Sequence, residues 1–184
     1  MEELNGEASH NSADCSRIGG HSCACHSCFA PGSLVNFQKG EKQMNMDWSL
    51  CEALANTNVQ GLQQVLHIYD INCQYYCQLQ DHIRQNPLLQ VPVGLQLIHG
   101  IGLFHVHGHK DECLYRWATS YIPNARVVDG EILETLWAVL NTISASTRTA
   151  SLAHRSELLD DHMGDSNFKK LLNISMFSQQ PLYV

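Results

Sequence analysis

The stretch GLQQVLHIYDINCQYYCQLQDHIRQNP, residues 61–87, constrains the fold more than any other part of this chain. A short apolar run from Val65 to Tyr69, closed by Asp70, reads as a buried strand. The pattern that follows predicts a helix over residues 71–86, with Asp70 as its cap and Pro87 close behind its end. A second strand region is predicted in LQLIHGIGLFHV, where the glycines allow bends or close backbone approach. The clearest helix is EILETLWAVLN. Ile132, Leu133, Leu136, Trp137 and Leu140 share one face of it, Glu131, Glu134, Ala138 and Asn141 the other, and Asp129 is placed as its N-cap. MDWSLCEALANT and residues 151–172 read as further helices. Strand and helix patterns thus succeed one another, as in a mixed α/β chain that is rich in helix.

With 184 residues, 44% apolar and 16% charged, the chain is long enough for one domain with a real core. The longest apolar region, residues 88–106, is interrupted by Gln90, Pro92, Gly94, Gln96, His99 and Gly100, so no membrane span is expected. The opening MEELNGEASHNSAD is acidic and polar, unlike a secretory signal. Residues 1–27 read as a flexible, cysteine-containing leader. The eight cysteines are then expected in a reducing compartment, as thiols, metal ligands or small buried residues. A formal net charge of −7 argues against tight autonomous binding to nucleic acid, which favours basic surfaces.

Two sets of side chains carry chemical potential. Asp70 ends a strand, and Glu131 and Glu134 lie on a later packed helix; carboxylates so placed are how acidic two-metal sites are built, with Mg²⁺ or Mn²⁺ on hard oxygen ligands. The plainer alternative is a helix cap and a solvated acidic face. The second set is HVHGHKDEC. On a strand, His105, His107 and His109 would share one side; on a helix, His105, His109 and Cys113 would form one stripe. Either presents nitrogen and sulfur donors at spacings suited to a structural Zn²⁺, and either is equally compatible with buried, hydrogen-bonded histidines and a core thiol. CACHSC, residues 23–28, is dense in donors but is not a standard zinc knuckle; with Cys15 and His21 it would offer a further set. Cys51, Cys73 and Cys77 fall in helical patterns and read as core thiols.

Five blocks occur in one order: CFAPGSLVNFQKGEKQMNMDWSLCEAL, YDINCQYY, GIGLFHVHGHKDEC, DGEILETLWAVLN and HRSELLDDHMGDSNFKK. Together they resemble the Kyakuja–Dileera–Zisupton transposases, of the type associated with CxC2-like cysteine-cluster domains, from about Cys28 to Lys170. The resemblance implies a ribonuclease-H-like core using an Asp-Asp-Glu triad and divalent metal to cut and join DNA, with a nuclear location and the cytoplasm as the alternative. It places the second Asp at Asp70 and the Glu at Glu131, with Glu134 the close alternative. His105, His109 and Cys113 would order the segment delivering that Glu, through zinc if a metal is held. The first Asp of the pattern belongs upstream of CFAPGS, where Asp14 is available; Asp47 lies in a helical pattern, in the NMD stretch of the first block, and is a poor substitute. The expectation is a partial core, residues 28–172, with an incomplete sheet, self-association and no catalysis, followed by an unrelated tail at 173–184. The alternative is a zinc-stabilised or domesticated binding module.

Overall fold

The structure, a computed structural model, describes residues 17–37, 40–125, 128 and 130–177. Strand β1 (Arg17–Gly19) pairs antiparallel with β4 (Val35–Phe37), and β2 (Ser22–Cys23) forms a hairpin with β3 (Cys28–Phe29). Residues 17–27, the described part of the expected flexible leader, are paired instead: Ile18, with Phe29 just beyond, joins a cluster with helices far along the chain, and strands of two or three residues are too short to show alternation.

Helix α1 (Gln43–Asn56) buries Met46, Leu50 and Leu54, spaced by four, on one stripe. β5 (Gln64–Ile68) leads into α2 (Asn72–Gln85), and β6 (Gln96–Gly100) returns parallel to β5 in the register Gln64↔Gln96 to Ile68↔Gly100. This βαβ unit packs α2 through Tyr75 and Leu79, both fully buried, onto α1 and the strands. Asp70 does not cap α2. The residue at the cap is Ile71 and no side chain caps it, while Asn72 turns inward and Asp70 is left free for other partners.

The second strand is shorter than its sequence implies. Gly100 O accepts the Tyr69 N–H, and Ile101 turns away to bond Trp117 O at 2.7 Å. Leu103–Val106 then closes a helical turn, α3, so His105 lies on a helix. Gly108 follows, and α4 (Asp111–Trp117) begins afresh, which breaks the single stripe considered above. A 3₁₀ turn at Thr119–Tyr121 precedes α5 (Ile132–Asn141), α6 (Ser144–Thr149) and α7 (Leu152–Phe177). Leu136 and Leu140 of α5 pack with Leu159 and Met163 of α7 and with Phe29, as the periodicity of α5 predicted. Glu131 is the residue before the first turn of α5 and not on its solvent face. Asp129, Asp14 and Cys15 lie outside the described residues. α7 runs on through Phe177, into the stretch read as a separate tail. The architecture is mixed α/β and rich in helix, and among the described residues every sheet is two-stranded. No helix among them is long and apolar enough to cross a membrane.

Candidate functional site

Asp70 emerges two residues beyond β5, and His105 lies on the turn of helix beyond β6. Both are at the carboxyl end of the parallel pair, where open α/β sheets bind ligands. Glu131 arrives from the far side, and a glycine sets its position. Gly130 has φ +84, and a Cβ there would stand 2.6 Å from Gly102 Cα and 3.3 Å from Ile68 Cγ2. Only a residue without a side chain brings the chain this close to the ends of both strands. Upstream, Thr119, fully buried, donates its hydroxyl to Val128 O at 2.5 Å and anchors the incoming segment.

The three side chains then meet. His105 Nδ1 lies 3.6 Å from Asp70 Oδ2, and His105 Nε2 lies 3.4 Å from Glu131 Oε2. One imidazole thus spans two carboxylates that are 61 positions apart in the chain. Asp70's carboxyl is raised above its ordinary range, first by partial burial and then by the charges of Glu134 and Glu41, against the opposing pull of His105 and His109. Glu134 and Glu41 are therefore part of the same electrostatic neighbourhood as Asp70, and the Tyr69 hydroxyl donates to Glu41. Asp47 is elsewhere: it is buried in α1 with Oδ2 2.8 Å from His82 Nδ1. Hard carboxylate oxygens converging from a strand end and a helix start suit Mg²⁺ or Mn²⁺, and the imidazole between them stands where a cation would reduce their repulsion.

The nitrogen and sulfur donors sort differently from their order in sequence. His105 goes to the carboxylates. His109 and Cys113 join Cys73 of α2, and the ligand atoms of these three all lie within 4.8 Å of one another. His107 is exposed, as is Cys77. Cys73 was a core thiol on the sequence reading; it is half-buried, and burial followed by the neighbouring Cys113 pushes its thiol up. In the β2–β3 turn, Cys23 Sγ sits 3.2 Å from His26 Nδ1, but on exposed side chains. His21, one residue before β2, points inward.

It joins a buried polar cluster that nothing in the sequence announced. Ser49 Oγ donates to Ser33 O at 2.5 Å, so it accepts from His21 Nδ1 at 2.7 Å. His21 Nε2 is then the acceptor for His67 Nε2–H at 3.3 Å. Asn72, fully buried, donates to His67 O and to Gly100 O, both at 2.8 Å, and accepts from His99 Nδ1 at 3.3 Å. Burial lowers His99 to about 4 and His67 well below the ordinary value. Asn72 thus ties together the ends of β5 and β6 at the point where Asp70 leaves the sheet.

The family model described as Kyakuja-Dileera-Zisupton transposase matches residues 2–167. The chain belongs to this transposase family. The match includes every residue of the acid pair and of the sulfur group, and so the resemblance drawn from five ordered blocks is confirmed at family level. No curated protein and no solved structure matches this transposase chain.

Proposed function

We propose that the chain carries the cation-binding face of a transposase strand-cleavage centre, with Asp70 and Glu131 as the metal-binding acids and Glu134 beside them. The observation that carries this reading is the His105 bridge, 3.6 Å from one acid and 3.4 Å from the other. The ribonuclease-H-like, Asp-Asp-Glu assignment is part of the proposal; the parallel β5–β6 pair with an acid at its carboxyl end supports it. When bound, the divalent cation of such a centre stabilises charge on the attacking and leaving oxygens of a phosphodiester. The residues described here would place two of its ligands, keep the strand ends fixed through Asn72, and set the approach of Glu131 through Gly130.

The proposal includes the absence of catalysis by this chain alone. The triad needs a third acid. Among the described residues Asp70 and Glu131 are the carboxylates that reach the His105 ring, Glu134 near Asp70 is the alternative to Glu131 for one and the same position, Asp47 is engaged by His82, and Glu41 by Tyr69. The net charge of −7 also provides no general attraction for DNA. Supercoiled plasmid incubated with the purified chain and Mg²⁺ or Mn²⁺ is expected to remain supercoiled. Nicking that disappears in Asp70→Ala would overturn this reading. Self-association fits the outer face of α7, where Phe168, Leu171 and Leu172 are exposed; a strict monomer by light scattering at micromolar concentration would remove it.

A further inference from the structure

Cys73, His109 and Cys113 come from three separate places: the first turn of α2, the turn between α3 and α4, and the first turn of α4. Sequence order gives no hint that Cys73 belongs with the other two, yet Cys73 Sγ is 3.4 Å from His109 Nδ1. Tetrahedral zinc, with Zn–S of about 2.3 Å and Zn–N of about 2.0 Å, needs ligand atoms roughly 3.5–3.8 Å apart. The observed group, with every separation within 4.8 Å, needs a contraction of at most about 1 Å, within the reach of side-chain rotation. Both cysteines are free thiols, and all three residues are half-buried. Behind them lies the apolar cluster of Ile101, Val106 and Ala118, against which Cys73 and Cys113 pack. The two thiols are thus backed by a core while all three residues keep part of their surface exposed.

We propose that Cys73, His109 and Cys113 form a Zn²⁺ site whose fourth position is open to water. Two thiolates and an imidazole are soft and borderline donors, which favour zinc over the hard cations suited to the acid pair. A metal here would clamp α2 to α4 and fix the turn that follows His105. It would thereby hold the imidazole where Asp70 and Glu131 can share it, without itself belonging to the acid site.

Co²⁺ is the probe, added to the full chain after chelation under reducing conditions. About one equivalent is expected to bind with thiolate charge-transfer bands in the near ultraviolet and the strong visible bands of a four-coordinate ion, and Zn²⁺ should displace it. Cys73→Ser and Cys113→Ser should each weaken Zn²⁺ binding at least about tenfold. His109→Ala, on a surface turn and therefore least disturbing to the fold, should do the same. The triple change Cys23→Ser, Cys25→Ser, Cys28→Ser should leave the spectrum intact, as should Asp70→Asn, so loss of this site and loss of the acid site are separable. The proposal is overturned if the Co²⁺ spectrum survives Cys73→Ser, if it disappears with the triple variant, or if micromolar Co²⁺ gives no thiolate band.

Discussion

Asn72→Ala should be among the most damaging single changes outside the apolar core. The side chain is fully buried, and its amide donates to His67 O and Gly100 O at 2.8 Å each. Each bond contributes about 1 kcal/mol net. Gly100 O keeps the Tyr69 N–H at 3.1 Å, and His67 O lies within the parallel β5–β6 ladder, so the cost is that of the lost side-chain bonds. His99 Nδ1–H also loses its acceptor, a third bond of about the same size. The expected loss is about 2–4 kcal/mol. With a urea m-value of about 2 kcal/mol/M, the unfolding midpoint should fall by about 1–2 M. Asn72→Asp is the sharper variant: it keeps the volume and an acceptor for His99 but removes both donors and places a carboxylate against two carbonyls. It should be at least as destabilised as the alanine. Equilibrium urea unfolding followed by tryptophan fluorescence measures both. If Asn72→Ala unfolds within about 0.5 kcal/mol of the parent, the proposed tie between the strand ends carries no weight and the reasoning fails.

Two other outcomes follow from the same geometry. Gly130→Ala forces a Cβ to within 2.6 Å of the Gly102 backbone at φ +84; left-handed backbone alone costs about 1 kcal/mol, so the change should destabilise by about 2 kcal/mol or more and displace Glu131, seen as a lower melting temperature together with weaker Mn²⁺ binding. Stability should also depend on pH through the buried histidines. His99 is held neutral, its pKa lowered to about 4 from an ordinary 6.5, so the unfolded chain binds more protons between those values. That stability is complete above pH 6.5 and lost as the pH falls towards 4, about 2 kcal/mol from His99 by pH 5, with His67 acting in the same direction. Urea midpoints that do not change between pH 7.5 and pH 5 would refute it.

What the sequence disclosed and what it hid divide by range. α5 was legible because Leu136 and Leu140 repeat at the helical period, and β5 because Val65 to Tyr69 is a short run, apolar but for His67, closed by an acid. The start of α2 was misjudged since Asp70 has the chemistry of a cap, and only the competing demand of Asn72 for the strand carbonyls shows why it is not one. The strands within residues 17–29 escaped notice because two or three residues hold no period. The acid pair was recognisable from ordered blocks, but the imidazole joining its members was not. His105 shares spacing with His109 and Cys113, and only the break at Gly108 sends it to the other site. Cys73 was hidden for the converse reason: its partner His109 is 36 positions away. The buried chain from Ser49 through His21 to His67 links positions 28 and 46 apart. No local pattern records such pairings, since they come from a βαβ unit laying distant residues side by side.

The most direct test of the acid pair is Mn²⁺ binding, measured by electron paramagnetic resonance of the free ion as the chain is titrated. Asp70 and Glu131 acting as one site predict a single class of binding in the parent chain, weakened at least about tenfold by Asp70→Asn and equally by Glu131→Gln, with the double variant no weaker than either alone. Binding that survives both single substitutions, or losses from the two that simply add, would show that the carboxylates do not hold a common cation.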